Sequence, residues 1–253
     1  MKKYLLLSFI VFSFISTGFA QGNAKMKKKI YRENCQNKLP YRLLKPQYGD
    51  KNKNYPLVVF LHGAGERGSD NEAQLIHGVR VFTREEALRK FPCYLIAPQC
   101  PKGKRWVEVD WKLAKHKQPE KPSETLFLLK KLIDELETKY KIDTNRIYVV
   151  GLSMGGFGVW DLITRYPEKF AAATPVCGGG DESKAEMIKT PVWVFHGALD
   201  KLVRPERARN MVAALRKAGK EVKYTEYPTV GHNAWDFAFT EEEYLEWLFS
   251  KTK

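Results

Sequence analysis

Ile147-Tyr148-Val149-Val150-Gly151-Leu152-Ser153-Met154-Gly155-Gly156 is the stretch whose reading decides the fold. Ile147 to Val150 is a short β-branched and aromatic run, as expected of a strand buried on both faces. Gly151 to Gly155 then reads G-x-S-x-G, and the residues after Ser153 continue as a helix to about Arg165, before Pro167. A sharp strand-to-helix turn crowds the backbone, so small residues must surround the serine, and Gly151, Gly155 and Gly156 supply them. The turn lifts the Ser153 hydroxyl clear of the sheet and points the positive end of the helix toward it.

Outward from this turn the chain alternates short apolar runs with amphipathic stretches. Leu57 to Leu61, Tyr94 to Ala97, Ala171 to Val176, Val192 to Phe195 and Val222 to Tyr227 read as strands. Leu126, Leu129, Ile133, Leu136 and Tyr140 fall on one helical face, with Ser123 placed to cap its start. Further helices are expected over about Pro205 to Ala218, stopped at Gly219, and over Thr240 to Phe249. The arm around Lys29 to Leu44 is expected as an antiparallel pair at the sheet edge. The fold class is therefore α/β: a mostly parallel sheet with helices on both faces, binding its ligands at the carboxyl ends of the strands.

The serine needs partners. Its hydroxyl is a poor nucleophile until a base takes its proton, and among five histidines His232, in Gly231-His232 after the last core strand, stands where a loop returns to that edge. An imidazole base needs a carboxylate to hold its tautomer, and Asp200 follows the strand ending at Phe195. Two N–H donors are needed for an oxyanion. The backbone of Met154, next after the serine, is one; the other is expected from His62-Gly63-Ala64-Gly65, with Ala64 assigned and Gly65 as the alternative.

With Ser153, Asp200 and His232 in that order, the chain resembles the α/β-hydrolase superfamily over nearly all of its length after residue 20. HGAGERG (His62 to Gly68), PQCP (Pro98 to Pro101) and Trp106 are similar to motifs of secreted bacterial carboxylesterases and predicted peptidases, and of single-domain feruloyl and acetyl-xylan esterases. The phospholipase/carboxylesterase and dienelactone hydrolase groups are more distant resemblances, and the latter is disfavoured because its members use a cysteine where this chain has Ser153. The resemblance implies a serine esterase acting through an acyl-enzyme on carboxylic esters, small or polysaccharide-linked, with acetyl or feruloyl groups as candidates. A serine peptidase of the prolyl-oligopeptidase type and a noncatalytic hydrolase-fold binding protein are the alternatives.

Length and composition agree with one globular domain. The chain has 253 residues, 43% of them hydrophobic, with 43 Lys+Arg against 29 Asp+Glu and a net charge of +14. Residues 1–20 read as a secretory signal: Lys2 and Lys3, an apolar middle, and Gly18-Phe19-Ala20 at the cut. Residues 21–253 are then one α/β-hydrolase domain, secreted or periplasmic, with no stable membrane insertion. The basic residues carry no nucleic-acid signature, so no nucleic-acid partner is expected. Cys35, Cys93, Cys100 and Cys177 allow three complete pairings. Cys93 and Cys100 bracket an extended run of about 20 Å, too far for a disulfide; Cys35 with Cys93 is conceivable, and free buried thiols are the alternative. With neither CxxC nor HExxH, no metal and no organic cofactor is expected. Trp106 and Trp235 are candidate substrate contacts, with core or loop packing the alternative for Trp106 and support of the His232 loop the alternative for Trp235; Asp110 to Pro122 is a candidate mobile rim or a solvated loop.

Overall fold

The structure, a computed structural model, describes residues 26–253; the expected leader lies outside them. In chain order the strands are β1 (Lys27–Arg32), β2 (Lys38–Leu44), β3 (Tyr55–Leu61), β4 (Tyr94–Pro98), β5 (Ile142–Leu152), β6 (Ala172–Val176), β7 (Val192–Gly197) and β8 (Val222–Tyr227). The helices are α1 (Arg80–Thr83), α2 (Glu85–Lys90), α3 (Glu124–Lys139), α4 (Met154–Arg165), α5 (Glu206–Lys217), α6 (Trp235–Ala238) and α7 (Tyr244–Ser250). The strands form one sheet in the order β1-β2-β4-β3-β5-β6-β7-β8. β1 and β2 pair antiparallel, as do β2 and β4; every other pair is parallel.

Alternation along β3 shows why its residues are apolar throughout. Leu57, Val59 and Leu61 pack in one layer with Leu129, Ile133 and Leu136 of α3 and Met211 and Leu215 of α5. Val58 and Phe60 face the opposite layer, with Leu88 of α2 and Tyr244 and Leu248 of α7. Both faces are covered, so no position is left for a polar residue, and each side chain contributes about 1.5–3 kcal/mol of burial. Ser123 caps α3 as predicted, its Oγ accepting from the Leu126 amide at 3.1 Å. The expected C-terminal helix is present as α7, beginning later than expected at Tyr244; the separate turn α6 precedes it, and just after α6 the Thr240 hydroxyl donates to the Phe237 carbonyl at 2.8 Å.

All four cysteines are free, Cys35 exposed and the others buried, so the conceivable Cys35–Cys93 bridge does not form. Burial pushes the Cys93 thiol up to about 12. The parallel strands β3, β5, β6 and β7 end on one edge, and their next residues, His62, Ser153, Cys177 and the loop to Asp200, meet there.

Candidate active site

Ser153 joins β5 to α4 with φ +52° and ψ −118°, a backbone conformation a non-glycine residue rarely adopts. The glycines around it are obligatory for closeness. A Cβ on Gly151 would lie 2.5 Å from the Gly155 carbonyl oxygen, and one on Gly155 would run into the Leu61 carbonyl. The Ser153 amide is tied to the next strand, donating to the Val176 carbonyl at 2.8 Å.

The Ser153 hydroxyl donates to His232 Nε2 at 2.8 Å, and His232 Nδ1–H donates to Asp200 Oδ2 at 2.7 Å. The three residues predicted from their order thus form one hydrogen-bonded chain. Asp200 Oδ1 accepts from the Leu202 and Val203 amides, both at 2.9 Å. A second histidine, whose role the sequence reading missed, completes the cradle. His196 Nε2 lies 2.8 Å from the Val203 carbonyl and 3.2 Å from Asp200 Oδ2, within a fully buried pair. Burial alone would raise the Asp200 carboxyl, but the hydrogen bonds from His196, His232 and the Val203 amide outweigh it and hold the group well below the usual carboxylate range. Asp200 is therefore a fixed negative charge facing His232. Chemically, the chain suits attack by a serine oxygen whose proton passes to an imidazole.

Gly63 leads into a single 3-10 turn, Ala64–Glu66. Ala64 and Met154 begin their respective helices, and among the described residues neither amide donates to a backbone carbonyl. His62 holds this turn. Its Nε2 accepts from the Cys100 amide at 2.9 Å, so the proton sits on Nδ1, which donates to the Gly63 carbonyl at 2.6 Å. Trp106 reaches the same residue from beneath: its indole N–H donates to the His62 carbonyl at 3.0 Å and its ring meets the imidazole edge-on. Trp106 is 0% exposed and packs where a Gly158 side chain would be. This corrects its assignment as a substrate contact; it is a buried prop under the Ala64–Glu66 turn.

The segment Asp110 to Pro122 is also corrected, from rim to anchored loop. Buried Arg207 of α5 donates to the Leu113 carbonyl at 2.6 Å and pairs with His116. Gln118 donates from its amide to Asp181 at 2.8 Å and from its side chain to Asp161 at 3.0 Å, while Arg165 holds the Glu120 carbonyl at 2.8 Å. Burial, reinforced by the Arg207 guanidinium, holds His116 down to about 4, and burial holds His62 to about 4. Both pKa values are lower folded than unfolded, so the unfolded chain binds more protons between about 6.5 and 4 and stability falls with pH across that window. Thermal unfolding should lose a few kcal/mol between those limits, and His116→Gln should flatten part of the loss. A melting temperature constant from pH 7 to 4.5 would contradict neutral burial of these rings.

Trp235 stands three residues past His232, its ring perpendicular to the imidazole with centroids 5.3 Å apart. Cys177, at φ +50°, brings its sulfur near the triad: the donor atoms of Cys177, Asp200 and His232 lie within 4.8 Å of one another. Sequence spacing did not show this cluster. Burial, with the Asp200 charge beside it, pushes the thiol up to about 12, so it stands protonated beside the triad.

Fold and site together define the class: an α/β-hydrolase with a carboxylesterase-type site centred on a serine. Residues 108–245, a span containing Ser153, Asp200 and His232, match the dienelactone hydrolase family, and the chain belongs to that family. The group disfavoured on account of its cysteine nucleophile is thus the one the chain belongs to, with Ser153 at that position. The chain is 39% identical to a protein solved as a thermostable esterase, with a TM-score of 0.85, over 92% of this chain and 64% of that one. It thus spans about two thirds of that esterase's length. A probable carboxylesterase of Oryza sativa subsp. japonica is 26% identical over 72% of this chain and 83% of its own. A bifunctional acetylxylan esterase/xylanase of Neocallimastix patriciarum is 37% identical over a local match, 26% of this chain and 10% of that protein.

Proposed function

We propose that this protein is a serine esterase that cleaves carboxylic esters through an acyl-enzyme on Ser153, with His232 as base and then acid, Asp200 as its fixed counter-charge, and the Met154 and Ala64 amides as the oxyanion donors. The observation that carries the reading is the Ser153–His232–Asp200 chain of 2.8 and 2.7 Å hydrogen bonds at a strained strand-to-helix turn. Attack by Ser153 Oγ on the ester carbonyl forms the new C–O bond while its proton moves to His232 Nε2. Collapse returns that proton to the departing alcohol oxygen, and water repeats the sequence to release the acid. The acyl groups we propose are acetyl or feruloyl, carried by plant polysaccharides or small alcohols; the local match to an acetylxylan esterase supports the acetyl member. The composition of residues 1–20 supports export, and residues 21–253 as the working domain.

Matched ester and amide substrates sharing one acyl group test this reading. An alkoxide leaves the tetrahedral intermediate with modest help, whereas an amine must first be protonated with tighter placement. The expected result is a kcat/KM at least about a thousandfold higher for acetyl and feruloyl esters than for the amides. Efficient cleavage of unactivated peptides with poor turnover of both esters would move the protein to the peptidase reading.

A further inference from the structure

The two oxygens of Asp200 are held from different directions. Oδ1 accepts from the backbone, the Leu202 and Val203 amides, both at 2.9 Å. Oδ2 faces two imidazoles, His232 Nδ1 at 2.7 Å and His196 Nε2 at 3.2 Å. His232 is the base of the reaction just described. His196, in β7 and 0% exposed, has no part in it.

Geometry fixes which nitrogen of His196 carries hydrogen. Its Nε2 lies 2.8 Å from the Val203 carbonyl, which can only accept, so the hydrogen is on Nε2, beside Asp200 Oδ2. Nδ1 is buried with no hydrogen-bond partner, so no contact there draws the hydrogen to the other side of the ring. Val203 closes a circuit, since its amide holds Oδ1 and its carbonyl holds the ring that faces Oδ2. The other ionisable neighbours are engaged. Glu226, opposite His196 in β8, accepts from Arg209 at 2.8 and 2.7 Å and from the Tyr224 hydroxyl. Cys177, beside Asp200 and His232, stands as a protonated thiol.

Resting on the esterase reading, we propose that His196 is a positioning residue for ester cleavage, whose fixed Nε2–H pins Asp200 Oδ2 and so keeps His232 in line with Ser153. With that N–H gone, the carboxylate would keep its bonds at Oδ1 and could turn about them, carrying His232 Nδ1 along. The N–H also shares the negative charge that His232 faces. Removing it concentrates that charge on the His232 side, so the imidazole should hold a proton to higher pH and fail as a base over a wider acid range.

The test pairs two substitutions of similar length: His196→Gln, which can return an N–H to the Nε2 position, and His196→Met, which cannot. The readout is the pH profile of kcat/KM with 4-nitrophenyl acetate, together with kcat and KM on its plateau. His196→Met should move the acid limb to higher pH by about half a unit to one unit and lower plateau kcat by about tenfold to a hundredfold, with KM within about twofold of wild type. His196→Gln should return both most of the way. An acid limb unmoved within about 0.2 unit in a cooperatively melting His196→Met overturns the role and leaves the esterase reading standing. A loss confined to KM overturns it equally. If His196→Met does not fold, NMR of wild type carrying nitrogen-15 histidine decides: hydrogen on His196 Nε2, protected from exchange, supports the proposal, and a bare Nε2 with hydrogen on Nδ1 overturns it. Absence of any Ser153-dependent hydrolysis of the ester by the wild type sinks both readings.

Discussion

Ser153→Ala is expected to lower kcat by about 10⁴ to 10⁶ while leaving the fold intact. The loss is large because in the proposed mechanism Ser153 Oγ forms the covalent bond, and it is the hydroxyl hydrogen-bonded to His232 Nε2 at 2.8 Å. It is not total, since the oxyanion donors remain to stabilise attack by water. The fold should tolerate the change because the Ser153 amide, not its side chain, ties the elbow to β6. Alanine also keeps a Cβ at φ +52°, so the turn stays strained; Ser153→Gly relieves that strain and should unfold at a higher temperature than Ser153→Ala. Steady-state kinetics and thermal melts on the two variants check both halves. Retention of more than a tenth of wild-type activity in protein free of contaminating esterase would remove Ser153 from the mechanism.

Asp200→Asn should cost about 10⁴ in kcat, by the comparison available from other serine hydrolases, and should also reduce stability. The carboxylate accepts from two backbone amides and two imidazoles, so every hydrogen bond reaching it is a donation. A carboxamide places an N–H₂ on one side of that set. If the nitrogen faces the Leu202 and Val203 amides, donors meet donors in a buried site. If it faces His232, the imidazole must shift its proton to Nε2, where it can no longer accept from Ser153. The stability term carries a pH signature. The Asp200 carboxyl is held low in the folded state, so its contribution is full above about pH 4, its unfolded value, and is lost as pH falls through that range. The wild type should therefore approach Asp200→Asn in melting temperature toward acid pH. A constant difference from pH 7 to 3 would contradict the hydrogen-bonded carboxylate described above.

Much of the frame is legible from local constraints. Where a both-faces-buried strand meets a helix, β5 to α4, the crowded turn demands glycines at named positions, and these stand in the sequence. Asp200 and His232 follow because each ends a segment returning to the same sheet edge, a consequence of topology that order alone conveys. Sequence cannot choose between the two roles of Trp106, because the residues after β4 have no period and a tryptophan near the strand ends looks the same whether it faces the pocket or props the turn from below. Asp110 to Pro122 is polar and proline-bearing, which suggests solvent; its anchors, Arg165, Asp161, Asp181 and Arg207, come from elements distant in the chain, and pairings of that kind have no local signature. Glu66 lies in the HGAGERG motif and His196 at the end of β7, yet what singles them out is burial, and a charged or imidazole side chain gives no sequence sign of being buried. Cys177 reached the triad only through the order of β6 and β7 in the sheet.

The central claim, that Ser153 is the acylated nucleophile, is tested most directly by active-site labelling with a fluorophosphonate followed by intact and peptide mass spectrometry. One adduct per chain is predicted, on Ser153, forming in step with loss of esterase activity and absent from Ser153→Ala. Complete inactivation with the adduct on another residue, or full labelling of Ser153 with activity unchanged, would contradict it.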